Sequence, residues 1–224
     1  MLELDTVRVN VGGFLVLRDV SFAIDAGAAT VLVGRNGAGK TTTLRTLMGL
    51  LPLEGGTIRL DGRDIHRVPA HGRAALGMGY APEDRRLIGD FNVEENLLLP
   101  AQAIGLNAAE RRRRLEDVYS LLPELPGLRT RPGGSLSGGQ GKMVALGRAL
   151  MVGTSYVFLD EPFQGLAPAL AKNYARALSR LRREKEDIGL LVTESSPQYV
   201  EEIVDHTLYI ERGEVGERDT LQVE

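Results

Sequence analysis

The apolar positions of the chain follow three patterns. Over residues 2–24, Leu2, Leu4, Val7 and Val9, then Val16, Leu17, Val20, Phe22 and Ile24, recur near strand spacing, and Gly12-Gly13 marks a turn between the two runs. Residues 29–33 (Ala-Thr-Val-Leu-Val) and 156–159 instead form short apolar runs. A strand reads that way when both of its faces are buried, as in the middle of a parallel sheet. Shorter strands are predicted over 57–60, 78–81, 189–193 and 207–210. Helical spacing covers 40–50, 94–99, 108–122, 139–151, 167–183 and 198–204. Strands alternate with helices near both ends. The middle, residues 92–150, is helical and punctuated by Pro123, Pro126, Pro132 and Gly133-Gly134. The pattern predicts an α/β core interrupted by a mostly helical insertion.

Composition narrows the chemistry more than the fold. The chain has 224 residues, enough to bury a sizeable core in one or two domains, with 43% apolar and 25% charged residues. The absence of cysteine excludes disulfides, thiolate nucleophiles and Cys-held metals. A net charge of -3 gives no support for a nucleic-acid surface, and none is expected as a partner. The start Met1-Leu2-Glu3-Leu4-Asp5 lacks the marks of a signal peptide, and no run approaches the roughly 18 apolar residues of a membrane helix. A cytosolic protein is expected, with peripheral association to a membrane complex left open. The 27 glycines and 5% aromatics, with no Trp, point to sharp turns or backbone-lined sites.

One such site is explicit. Gly34-Arg35-Asn36-Gly37-Ala38-Gly39-Lys40-Thr41 fits G-x-x-x-x-G-K-[ST], with an apolar strand before it and a helix after it. Glycines let the backbone wrap phosphate oxygens, and the helix N-terminus points its N–H groups at the anion. Lys40 is expected to reach the β- and γ-phosphates of ATP. The Thr41 hydroxyl is expected to hold Mg²⁺, and Thr42 adds a further donor. A second site follows the 156–159 strand, at Asp160-Glu161-Pro162. Ligands bind at the carboxyl ends of such strands. Asp160 is placed to help hold Mg²⁺ and Glu161 to polarise an attacking water.

Between these motifs lies Leu136-Ser137-Gly138-Gly139-Gln140. A serine and two glycines opening a helix make either a second anion site or a simple N-cap. In this order and spacing, the whole chain resembles the ATP-binding-cassette (ABC) ATPases, whose signature motif Leu136–Gln140 matches letter for letter. The resemblance implies a P-loop NTPase core with a mostly helical subdomain, roughly 84–150, and an N-terminal antiparallel β subdomain. All of these belong to a single ATP-binding domain over 1–224. It implies a homodimer or a heterodimer with a second ABC ATPase, in which Ser137 and Gly139 touch a γ-phosphate held across the interface. It also implies two integral-membrane permease subunits, with this chain peripheral at the cytoplasmic face of the inner (plasma) membrane. A narrower likeness is to the branched-chain amino-acid importer ATPases, through Gly147-Arg148-Ala149-Leu150-Met151, Gly165-Leu166-Ala167-Pro168, Pro82–Arg86 and Val93–Leu97. In an importer an extracytoplasmic substrate-binding protein is expected too. By the same resemblance Glu83 occupies a position that senses Mg²⁺ and the membrane subunit, the alternative being a solvated turn acid.

Several positions depart from the family pattern. Ser195 stands where a switch histidine is expected, within one residue, and serine is neither a cation nor a base near neutral pH. His71 and His206 are expected at the surface. An adenine-stacking aromatic is missing near Val11, where Phe14 is either a substitute or a core residue. Ala167 replaces an aspartate common in the family, as is usual in the branched-chain group. Phe163 and Gly141-Lys142 are unusual and unexplained. Arg111–Arg114 spread around a helix at 100° per residue, so a solvated, salt-bridged face is expected. Leu97-Leu98-Leu99 and Pro100 fall, by resemblance, near the groove that receives a transport subunit's helix. The leading expectation is an ATP-hydrolysing subunit that powers import of branched-chain or other amino acids. Alternatives are a related transporter for urea or amides, aromatic acids or lipopolysaccharide, and a nucleotide-gated protein outside transport.

Overall fold

The computed structural model describes residues 1–216, so residues 217–224 of the expected 1–224 domain lie outside the described residues. In chain order the strands are β1 (Leu2–Val11), β2 (Phe14–Ile24), β3 (Ala29–Val33), β4 (Gly55–Leu60), β5 (Arg63–Asp64), β6 (Met78–Ala81), β7 (Tyr156–Asp160), β8 (Gly189–Glu194), β9 (His206–Glu211) and β10 (Glu214–Gly216). The helices are α1 (Lys40–Leu47), α2 (Ala70–Ala75), α3 (Val93–Ala103), α4 (Ala108–Leu121), α5 (Gly138–Leu150) and α6 (Pro168–Glu184). Two sheets result. One is antiparallel, in the order β2-β1-β4-β5; the other runs β10-β9-β3-β8-β7-β6 and is parallel except for the edge strand β10.

The continuous apolar runs are explained by what covers each face. On β3, β7 and β8, Val31, Val33, Val157, Leu159, Leu190 and Val192 pack with Leu146 and Ala149 of α5 and Tyr174 and Leu178 of α6. The alternate residues Leu32, Phe158 and Leu191 pack on the opposite face with Leu44 and Leu47 of α1 and with Leu2, Val7 and Ile58 of the antiparallel sheet. Each such side chain, once buried, contributes about 1.5–3 kcal/mol. Period-two alternation is present but invisible in the sequence, because both faces demand apolar residues.

The sheet register sets the site. Val33 of β3 lies beside Glu194 of β8, and Thr193 of β8 beside Asp160 of β7. Three neighbouring strands therefore deliver their carboxyl ends, and the loops that follow, to one place.

Some elements differ from expectation. α3 starts at Val93 because Asn92 and Glu95 form a reciprocal capping box, and it runs through Pro100 to Ala103. Residues 198–204 are not a helix. They form successive turns, with Val200 N–H bonded to Pro197 O at 2.8 Å and Ile203 N–H to Val200 O at 2.9 Å. These turns draw Val200 fully into the core. α2, β5 and β10 carry too few residues to show a periodicity.

Candidate active site

The loop after β3 turns into α1 at Gly39, whose φ of 117° only glycine adopts comfortably. A Cβ at Gly34 would stand 2.4 Å from Ile210 O, so the neighbouring strand β9 by itself requires this glycine. Gly37, at φ 83°, has open space where a Cβ would be. Arg35 and Asn36 are exposed, Ala38 is buried, and Thr41 and Thr42 are half-buried on the first turn of α1. Lys40 is almost fully buried, and its Nζ donates to Arg35 O at 3.1 Å, to Gly34 O and to Ser195 Oγ at 3.3 Å. It also pairs with Glu161 Oε1 at 2.9 Å, with side chains only 3% and 7% exposed.

Asp160 closes β7 and is satisfied on both oxygens. Oδ1 accepts from Thr41 Oγ1 at 3.1 Å and from Thr193 Oγ1 at 2.9 Å; Oδ2 accepts from the Tyr80 hydroxyl at 3.1 Å. Burial pushes the Asp160 carboxyl above the usual range, and these hydrogen bonds oppose the shift. Glu161 follows with φ 43°. Its N–H donates to Thr193 O at 3.1 Å, which ties the turn to β8. Glu83 is exposed and lines, with Lys40, Thr41, Thr42 and Glu161, a cavity of about 360 Å³. Partial burial, then the charges of Glu161 and Asp160, raise its pKa. Ser195 Oγ donates to Asn36 Oδ1 at 3.1 Å, so it joins the loop after β3 from the end of β8.

The residues of the 136–140 motif do not line that cavity. Ser137 caps α5, its Oγ accepting from Gln140 N–H at 3.3 Å while Gln140 Oε1 accepts from Ser137 N–H at 3.0 Å. A Cβ on Gly139 would lie 2.6 Å from Leu170 Cδ1, whereas one on Gly138 would meet only Arg85 Nη1 at 3.9 Å. Leu136 is half-buried against the helical core.

Four residues at the site escaped sequence reasoning: Tyr80, Lys142, Thr193 and Glu194. Tyr80 and Thr193 carry no motif, and each meets Asp160 only through sheet register. Lys142 Nζ donates to Glu161 O, and Glu194 Oε1 accepts from Phe163 N–H at 3.0 Å. Burial lowers the Lys142 pKa and pushes Glu194 up to about 7. The signal for Lys142 was its oddity after the signature. Phe163 is explained as well: its ring stacks on Tyr199 at 5.3 Å and meets Tyr174 edge-on at 5.4 Å.

The expected core alternative for Phe14 is not realised, since it is 78% exposed and paired with exposed Val11. His71 and His206 are exposed, as expected. Within the arginine run, Arg111 and Arg114 donate to the carbonyls of Leu106 and Met151 at 3.0 Å each, in place of the expected salt bridges.

The ABC transporter family model matches residues 17–164. The chain belongs to the ABC transporter ATP-binding family. The cassette is 35% identical to the lipopolysaccharide export system ATP-binding protein LptB of Acidithiobacillus ferridurans, over 90% of this chain and 82% of that protein. It is 31% identical to the high-affinity branched-chain amino acid transport ATP-binding protein BraG of Pseudomonas aeruginosa, over 98% of this chain and 93% of that one. Among solved structures, an ATP-binding subunit of an ABC transporter superposes with a TM-score of 0.83 at 29% identity, covering 98% of this chain and 91% of that chain. The ADP conformation of another ABC transporter cassette gives 0.81 at 26% identity, covering 96% and 89%. The cassette is thus an ATPase subunit of an ABC transporter with the P-loop NTPase fold. Among its described residues no helix is long and apolar enough to cross a membrane.

Proposed function

We propose that the cassette binds ATP on the loop Gly34–Thr42, hydrolyses it with Glu161 as the group that polarises water, and thereby drives amino-acid import. The observation that carries this is the meeting of Lys40, Thr41, Asp160 and Glu161 at the carboxyl ends of β3 and β7, which flank β8. Lys40 has its charge presented among carbonyl oxygens and Glu161. A nucleotide's phosphates, with greater charge, displace these weaker partners. Glu161 is then released next to the position of the terminal phosphate.

Thr41 Oγ1 and Asp160 Oδ1 lie 3.1 Å apart, and both are hard oxygen donors. One hydroxyl and one carboxylate suit Mg²⁺, which takes few protein ligands and completes its shell with phosphate oxygens and water. Bound there, the ion supplies charge neutralisation at the phosphates. Glu83, facing the same cavity, is the further candidate to sense it. Ser195 holds Asn36 and Lys40 and offers a hydroxyl to a phosphate.

The motif Leu136, Ser137, Gly138, Gly139 and Gln140 does not line the cavity at the chain's own Lys40 and Thr41. This supports a dimer in which a second cassette, identical or not, supplies it across the interface. Two permease subunits and a substrate-binding protein at the outer side complete the proposed importer, which places the chain at the inner membrane's cytoplasmic face. The 98% coverage against BraG supports amino-acid import. The 35% identity to LptB favours lipopolysaccharide export as the second reading. Uptake of radiolabelled leucine into vesicles carrying the whole complex should require ATP and vanish with Glu161→Gln. Uptake that survives the substitution would refute the motor role. A complex that takes up no leucine but releases lipopolysaccharide on ATP addition would replace the importer reading with the exporter.

A further inference from the structure

We propose that Lys142 and Glu194 are positioning residues that together hold the turn 161–164 in the conformation needed for hydrolysis. The proposal rests on the assignment of Glu161 as the group that polarises water. Among described non-glycine residues with positive φ, Glu161 is the one that is buried. A left-handed conformation at such a residue persists only where its surroundings over-determine it. Here they do. Lys142, from α5, donates its ammonium to Glu161 O. Glu194, from the end of β8 and only 6% exposed, accepts the Phe163 N–H at 3.0 Å. An amine and a carboxyl side chain, from different elements, thus grip successive peptide groups of one turn. Gln164 N–H to Glu161 O, at 3.2 Å, and the Phe163 ring between Tyr174 and Tyr199 complete the hold.

The grip matters most at the chemical step. The Glu161 carboxylate is otherwise fixed by Lys40, and that contact is given up when Lys40 turns to the phosphates. The main-chain clamp, together with the Glu161 N–H bond to Thr193 O, then keeps the carboxylate aimed. Its loss should lower kcat without weakening nucleotide binding, since neither Lys142 nor Glu194 lines the cavity containing Lys40 and Thr41.

The test is Mg²⁺-ATP hydrolysis by the full chain, with ADP affinity measured alongside. Lys142→Met and Glu194→Leu should each lower kcat by about 10- to 100-fold, the usual effect of a misplaced reacting group, with substrate KM and ADP affinity no more than about 2-fold weaker. Glu194→Gln keeps an oxygen acceptor for Phe163 N–H and should recover most of the loss. Glu161→Gln, run in parallel, separates the two levels. If it hydrolyses ATP at the wild-type rate, the assignment of Glu161 fails. If it is inactive while Lys142→Met and Glu194→Leu turn over normally, only the clamp is overturned. Equal losses of kcat and nucleotide affinity would also overturn it, as a merely structural role. A crystal structure of Lys142→Met tests the clamp independently of turnover: Glu161 should leave the left-handed region, and an unchanged φ would refute the proposal.

Discussion

Replacing Glu161 by glutamine should tighten ADP binding in the absence of Mg²⁺. The reason lies in the pair formed by Lys40 Nζ and Glu161 Oε1 at 2.9 Å, both nearly buried. At an effective dielectric near 20 the gross attraction at that separation is about 6 kcal/mol, most of it cancelled by desolvation. What a nucleotide must overcome is the difference between a charged and a neutral partner for Lys40. Hydrogen bonds to charged groups contribute about 1.5–3 kcal/mol and neutral ones about 0.5–1.5. Glutamine keeps the oxygen and removes the charge, so freeing Lys40 costs about 1–2 kcal/mol less. Loss of repulsion between Glu161 and the phosphates acts in the same direction. The expected gain is about 5- to 30-fold in ADP affinity by isothermal titration calorimetry. Because ADP is not hydrolysed, slowed turnover cannot mimic the effect. Unchanged or weaker affinity would show that the pair does not compete with the phosphates.

Gly34→Ala should destabilise the fold by about 1–3 kcal/mol in thermal denaturation, because its Cβ would meet Ile210 O at 2.4 Å. Arg73→Met should lower the urea midpoint by an amount equivalent to about 3–5 kcal/mol. The fully buried guanidinium donates to the carbonyls of His66, Val68, Thr46 and Leu47, which the substitution strands. Glu194, raised from 4.5 to about 7, binds its proton more tightly folded than unfolded. Its contribution to stability is therefore present below about pH 4.5 and falls as pH rises towards about 7. Glu194→Gln should remove that decline, which urea titrations of both proteins between pH 4.5 and 7.5 (about the span of the shift) would reveal.

The strand–loop–helix unit around residues 34–39 was legible in the sequence because its pattern is local: one strand, six loop residues and one helix turn carry it. The strands β3 and β7 were legible for a related reason, since burial on both faces leaves a bare apolar run. What connects Asp160 to Thr193 and Tyr80 is sheet order, which no local pattern encodes. The same holds for Lys142 and Glu194, which reach the 161–164 turn from α5 and β8. The helix expected over 198–204 failed because apolar spacing there reflects the docking of Val200 into the core through turns, not a helical face. Phe163 looked anomalous until Tyr174 and Tyr199, distant in the chain, supplied its neighbours. The glycines divide in a way that spacing could not reveal. Gly34 answers to β9 and Gly139 to Leu170, whereas Gly37 and Gly138 leave room on the outside.

The central claim is that this cassette hydrolyses ATP through Glu161 while Lys40 holds the phosphates. Phosphate release from Mg²⁺-ATP by the complete transporter complex tests it most directly. Wild-type complex should turn over steadily; Glu161→Gln should stop turnover yet keep ADP bound, and Lys40→Met should lose both. Sustained phosphate release by Glu161→Gln would contradict the account.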